Sequence, residues 1–531
     1  MKRRDFLRSA PAVVLPAFLT GMSVKAFGAS PFMEMLSGAG GNTGHVLVII
    51  QMTGGNDGLN MVIPIDQYSN LSAARSNVMI AQNQVLPLNG TTITGLHPSM
   101  TGMQQMYNNG YLGIVQSVGY PNPSFSHFRA TDIWVTGADS NQTLTSGWGG
   151  RYLNYEYPNY PTGYPNATMN DPLAIQIGTS LSPIFQGPNV EMGMAVTDPS
   201  SIYNLANGIQ SPAPATPAGV ELTYIRSVAQ QTNQYATVLK NAYLAGSSTT
   251  SLYPSGSKLA AALQAVAKLI SGGLKTRLYM VSTANDGTFD THHAQVVAGA
   301  TNTGAHADLL KNLSDCIKGF HADINASGHG DRVIGMTFSE FGRRIKSNAS
   351  VGTDHGAAAP LFIFGNKVVP GILGNNPQIA ASVSVNDNLP MQYDFRSVYA
   401  SLLQDWFCVP KADIDSTILR QNYQALPLVN PSDCTTSDIH EINSKAGVTL
   451  ISNYPNPFTA STNITFTTAG GHTLVQVFDC EGHLLRNLID QDMQPGDYRV
   501  SFENENYATG VYYARFQNGV IQQVRTMTIV R

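Results

Sequence analysis

Charge is scarce in this chain: 12% of its 531 residues are Asp, Glu, Lys or Arg, and the formal balance is −4. So few cations cannot neutralise a run of phosphates, and nucleic acid is excluded as an expected partner. Cysteine is scarcer still. Cys316, Cys408, Cys434 and Cys480 lie far apart and form no CxxC, too few for a disulfide scaffold and wrongly spaced for structural zinc. One bridge, with Cys408–Cys434 a candidate, fits an oxidising compartment, but spacing alone does not single it out. Beyond residue 30 no run of ~18 apolar residues occurs, so the chain is not expected to span a membrane. Glycine, by contrast, is abundant at 49, and the length suits one large domain and one small one.

The opening stretch, MKRRDFLRSAPAVVLPAFLTGMSVKAFGAS, runs from basic through mildly apolar to small residues, the pattern of a cleaved export signal. Arg3-Arg4 followed by Asp5, Phe6, Leu7 and Arg8 resembles the twin-arginine signal, and residues 1–29 are expected to be removed near Ala29. That resemblance implies a protein exported in folded form by the twin-arginine machinery.

Between 44 and 425, apolar strands alternate with helical spacing. HVLVIIQM, YLGIVQSVGY, RLYMVSTAN, RVIGMTFSE and LFIFG are near-continuous apolar runs, as in a sheet covered on both faces, and helices are predicted over 258–271, 304–326 and 395–407. The expected fold class is α/β, an α/β/α sandwich. The Pro-, Asn-, Gly- and Tyr-rich stretch 154–220 reads as long loops or an inserted cap.

In an open α/β sheet the ligand site lies beyond the carboxyl ends of the strands. Asp57 follows the first run; Ser124, Ser126 and His127 follow the second; Asp290, His292 and His293 follow the third; Glu340 ends the fourth. Asp354 and His355 sit in a Gly/Ala loop, SNASVGTDHGAAAP, with few bulky neighbours. Mixed carboxylate and imidazole donors suit a divalent ion such as Zn or Mn rather than an all-oxygen Ca site. Each element also has a plainer reading. Asp57 in GGNDG could serve its turn, DTHH could cap a helix, and Glu340 could pair with Arg343 or Arg344. His97, His306, His321 and His329 read as surface or helix-cap residues. Ser126, at a strand end and before a predicted helix, is the candidate nucleophile, with Arg129 behind it to grip an oxyanion. The alternative is a serine that merely caps the helix.

From about residue 449 the texture changes to short alternating stretches, TNITFTT, TLVQVFD, YRVSFEN, GVYYARFQ and VRTMTIVR, punctuated by turn signals. They predict a small all-β, Ig-like sandwich of about seven strands over 449–531, joined by a linker at 426–448. YPNPF, DCEGHLL, GDYRVSF and ATGVYYARF resemble the type IX secretion sorting domain. The resemblance implies passage through the type IX machinery, with the protein in the periplasm in transit and then at the cell surface or secreted.

GGNDGLN, VGYPNPSFSHFRATDIW, GWGGRYL, FDTHHAQ, TFSEFGRR, GTDHG and DFRSVYASLLQDW together resemble the bacterial family catalogued as domain of unknown function 1501. That family is placed with the alkaline phosphatase and sulfatase superfamily, so the resemblance implies an α/β/α fold of alkaline phosphatase-like type and hydrolysis of a phosphate or sulfate ester. It also implies one ion held by Asp57, Ser126, Asp354 and His355, and a second by Asp290 with His292 or His293. The chain departs from the superfamily pattern in three places. The histidines come two and three residues after Asp290 rather than four, and the next histidine after His355 is His440. Glu340 or His127 is then left to replace the missing ligand, and one ion stays open beside two. No cysteine lies near Ser126, which argues against a formylglycine sulfatase. The competing expectation is an inactive cell-surface binding or structural protein that keeps the fold.

Overall fold

The computed structural model describes residues 44–200, 235–430, Cys434 and 449–530, apart from positions 159, 162, 167, 168, 469, 480, 481, 519 and 520. The twin-arginine stretch, most of the 426–448 linker and Cys480 lie outside the described residues.

A large mixed sheet organises the first part of the chain. Its strands are β1 (Val46–Gln51), β2 (Leu112–Gly119), β3 (Ala174–Ile177), β4 (Met194–Val196), β5 (Leu278–Ser282), β6 (Val333–Phe338), β7 (Ala359–Gly365), β8 (Gly371–Leu373) and β9 (Tyr393–Asp394). They lie in the order β8-β2-β7-β6-β1-β5-β3-β4, with β9 also on β2. β1 runs parallel to β5 and β6. Only β7 is reversed among these central strands, antiparallel to both β2 and β6. As a result, the chain leaves β1, β2, β5 and β6 at the same edge where it enters β7.

Every residue of β2 and β6 is buried, as is nearly all of β1 and β7, because side chains pack on both faces. On one face Leu47, Ile49, Met280 and Met336 meet helices α1 (His127–Thr136) and α4 (Phe395–Ser401) through Ile133, Trp134, Phe395 and Val398. On the other, Val46, Val48, Ile50 and Val281 meet α2 (Lys258–Ser271) and α3 (Ala305–Ala326) through Leu263, Val266, Leu313 and Ile317. α2 starts where Ser257 accepts a hydrogen bond from the Ala260 N–H at 3.0 Å, and its apolar residues recur at helical spacing. The 395–407 prediction splits into α4 and a wider π turn over Leu402–Trp406.

One difference from the sequence reading stands out, and the candidate disulfide is formed. Within 154–220, read as loops, β3 and β4 extend the sheet edge; at four and three residues they are too short to show a period. The segment 201–234 lies outside the described residues. The sulfurs of Cys408 and Cys434 are joined, whereas Cys316 is a buried free thiol.

The C-terminal residues form two antiparallel sheets, one of Thr449–Tyr454, Ser461–Thr468 and Gly496–Glu503, the other of Gly471–Phe478, Leu484–Met493, Gly510–Asn518 and Ile521–Ile529. Ile464, Phe466 and Phe502 from one pack against Val475, Val477 and Phe516 from the other, which makes the sandwich. Leu484–Met493 is not legible as a strand because half of its residues are polar, most are exposed, and they do not alternate.

Candidate metal centre

The chain turns sharply out of β1. Gly54 and Gly55 take positive φ, and a Cβ on Gly54 would collide with Thr288 Oγ1 and the backbone N of Asp290. This lets the turn after β1 lie against the segment carrying Asp290. The Gly54 N–H donates to Glu340 Oε1 at 2.9 Å, so the exits of β1 and β6 are stitched together. Arg343, fully buried, donates to the carbonyls of Gly55, Gly54, Phe289 and Thr353 and to Asp290 Oδ1 at 2.7 Å.

Around Asp290 three imidazoles converge. His127 Nδ1 donates to Glu340 Oε1 at 2.8 Å, which leaves Nε2 facing Asp290 Oδ2 at 3.5 Å. His355 Nδ1 donates to the Phe125 carbonyl at 2.8 Å and turns Nε2 to Asp290 Oδ1 at 3.2 Å. His292 Nδ1 donates to Asp354 Oδ1 at 3.1 Å, with Nε2 3.2 Å from Asp290 Oδ1. An oxygen acceptor at each Nδ1 favours the proton there, and in that tautomer each ring turns its Nε2 lone pair inward. The Nε2 atoms of His292 and His355 are 2.8 Å apart. Two lone pairs at that distance repel unless a proton or cation lies with them.

Electrostatics favour the same species. Burial raises the pKa of Asp290, but Arg343 and His355 outweigh it and hold it at about 2. Burial lowers that of His355, in the direction that favours the neutral ring. The donor atoms of His127, Asp290 and His355 lie within 4.8 Å of one another, a possible metal-binding triad, and His292 touches two of the three.

The remaining predicted site residues divide. Asp354 supports His292 rather than facing Asp290, and Asn348 Nδ2 donates to it as well. His293 is exposed and lies outside the triad. Asp57 is not brought to the cluster: both its oxygens are held by Arg75, at 2.9 and 3.0 Å, and Gln295 donates to Oδ2 at 2.6 Å. The expected split into two ion sites therefore differs from the arrangement, which gathers Asp290, His292 and His355 at one place. Arg129 does not reach out as an oxyanion grip. Its guanidinium pairs with Asp132 and donates to the carbonyls of Asp139, Ser140 and Gln142, tying down the turn after α1. Ser126 is the exposed N-cap of α1, and its hydroxyl makes no cap hydrogen bond. It stands between Phe125, whose carbonyl holds His355, and His127, which faces Asp290. Glu340 pairs with His127, not with an arginine.

Sequence reasoning missed Arg343 and Gln295 and gave His127 only a substitute's part. The signal for His127 was its place directly after Ser126 on the same rim. It also misread His97 and His306, which are wholly buried. His306 Nε2 donates to Asn56 Oδ1 at 2.9 Å, and burial holds the pKa of His306 at about 4 and that of His97 at about 3.

Residues 200–418 match the profile of a protein family described as of unknown function, DUF1501, and residues 452–530 match the secretion system C-terminal sorting domain. The sorting domain indicates export to the cell surface or secretion and implies the secretion machinery as a partner. Among the described residues no helix is long and apolar enough to cross a membrane. No curated protein matches the chain. Among solved structures, the chain is similar to a sulfatase-like protein (labelled 4S-sulf) from a study of glycosaminoglycan metabolism by Bacteroides thetaiotaomicron. The identity is 10%, the match covers 84% of this chain and 90% of that one, and the TM-score is 0.29, too slight a likeness to argue from.

Proposed function

We propose that the chain is an exported metal-dependent hydrolase of phosphate or sulfate esters, built on an alkaline phosphatase-like α/β/α domain over 44–425. A twin-arginine signal at 1–29 and the sorting domain at 449–531 carry it outward. One observation bears most of this reading: three imidazoles, each fixed at Nδ1 by an oxygen, aim Nε2 at one carboxylate. Asp290, His127 and His355 would hold the ion and His292 would complete the set, a nitrogen-and-oxygen donor group suited to Zn or Mn. Such an ion polarises the ester's oxygens and draws charge from the attacking hydroxyl.

The chain's own groups supply the rest. Ser126 carries the nucleophilic hydroxyl at the start of the ten-residue α1, whose first N–H groups have no partner within the helix and favour an anion. Glu340, Phe125 and Asp354 hold the rings in register.

Metal analysis of the full chain followed by assay on nitrophenyl phosphate and nitrophenyl sulfate tests the reading. Expected are a bound divalent ion, its loss in Asp290→Ala, and a Ser126→Ala variant that keeps metal but loses turnover by at least about a thousandfold. A protein without metal or turnover would instead be a binding protein that kept the fold. The closed Asp57–Arg75 pair and the engaged Arg129 favour that second reading.

A further inference from the structure

Beside the imidazole cluster lies a pocket of about 530 Å³, lined among others by Tyr120, Pro121, Phe125, Leu389, Pro390 and Met391. That volume falls within the ~300–1,000 Å³ of small-molecule sites. The pocket and the cluster share a residue: the Phe125 carbonyl accepts from His355, and Phe125 lines the pocket. Ala357 and Ala358, just past His355, form another part of the wall, and their small size leaves the space open.

No Asp, Glu, Lys, Arg or His lines this pocket. The guanidiniums on the neighbouring segments are committed elsewhere. Arg343 is buried on four carbonyls and Asp290, and Arg344 donates to the carbonyls of His355 and Val385 and to Asn386. Arg129 is tied to its own loop. Large apolar side chains stand exposed nearby instead, Phe128 at 90% and Met391 at 40%. A polyanionic chain would find no countercharge here, whereas an apolar ring would find carbon on several sides.

We infer that this pocket takes the uncharged, apolar alcohol side of the ester, an aryl or alkyl group, and not a polyanionic saccharide. The inference rests on the hydrolase reading for its biological meaning, but the pocket can be tested without turnover. The probe is 2-naphthol, titrated into the full chain by fluorescence, with Met391→Asp and Ser126→Ala as variants. Expected are saturable binding to the native chain and to Ser126→Ala, and about tenfold weaker binding to Met391→Asp with metal content unchanged. KM for 1-naphthyl phosphate should then lie below that for glycerol phosphate. Absence of 2-naphthol binding, undiminished binding to Met391→Asp, or a lower KM for a sulfated oligosaccharide would overturn it. Naphthol binding lost in Met391→Asp, in a protein without turnover, would support the pocket and sink only the hydrolase.

Discussion

Two polar clusters stand at the same edge of the sheet and are built from the same residue types. One, Asp57 with Arg75, Gln295, His306 and His97, is sealed: all five are buried, and Asp57 meets a cation of its own chain. The other, Asp290 with His127, His292 and His355, is partly open, and its ring nitrogens point at one another. Asp290 does have Arg343, but that guanidinium is turned mostly to carbonyls. An aspartate beside histidines is therefore not by itself a ligand set. What separates the two is whether the protein supplies the countercharge or leaves room for one from outside.

The sharpest way to break this contrast is to remove the internal countercharge. Arg75→Met should leave the Asp57 carboxylate buried and unpaired and cost about 3–5 kcal/mol in urea unfolding. Its folded fraction should still bind metal; loss of metal at unchanged stability would put Asp57 in the open cluster after all.

Acid should next distinguish the sealed cluster. The pKa values of His306 and His97, at about 4 and about 3, lie below that of an unfolded histidine, so the unfolded state takes up protons first as pH falls. Their contribution is full above about pH 6.5 and is lost toward pH 4, at about 1.4 kcal/mol per pH unit for each ring. Asp57, with its lowered pKa, adds a further loss that begins as unfolded carboxylates take up protons, at about pH 4, and continues below it. Thermal melts of the native chain and of His306→Gln between pH 7 and 4 check the slope; equal slopes would acquit His306.

The smallest effect belongs to the open cluster's support. Glu340→Gln weakens the anchor of His127 Nδ1 and should reduce metal affinity by about 10–100-fold, with stability nearly unchanged. Equilibrium dialysis against zinc measures it, and unaltered affinity would remove His127 from the ligand set.

Much of the frame was legible in the residues. Continuous apolar runs gave five central strands to within a few residues, and helical spacing gave α2 and α3, because burial on two faces or one writes directly into the sequence. The rim was legible too: Asp290, His292 and His355 do meet. What sequence could not carry was partner choice. Nothing near Asp57 in the chain says that Arg75, eighteen residues on, will close over both its oxygens. Nor does the sequence say that Gln295 will bridge Asp57 to Thr353, whose hydroxyl donates to Gln295 Oε1 at 2.7 Å. The choice between metal ligand and buried ion pair is made by packing.

The reversed strand β7 has a practical result for chain-length variation. The hairpin before it, Arg343–Ser347 against Thr353–His355, hangs off the rim, and its tip touches the segment after His292 through Ala294 and Gln295. Extra residues grafted between 347 and 353 would leave every pairing of the large sheet in register. They would, however, loosen the grip of Ser350 and Val351 on Ala294 and Gln295, the residues that follow the His292 side of the cluster.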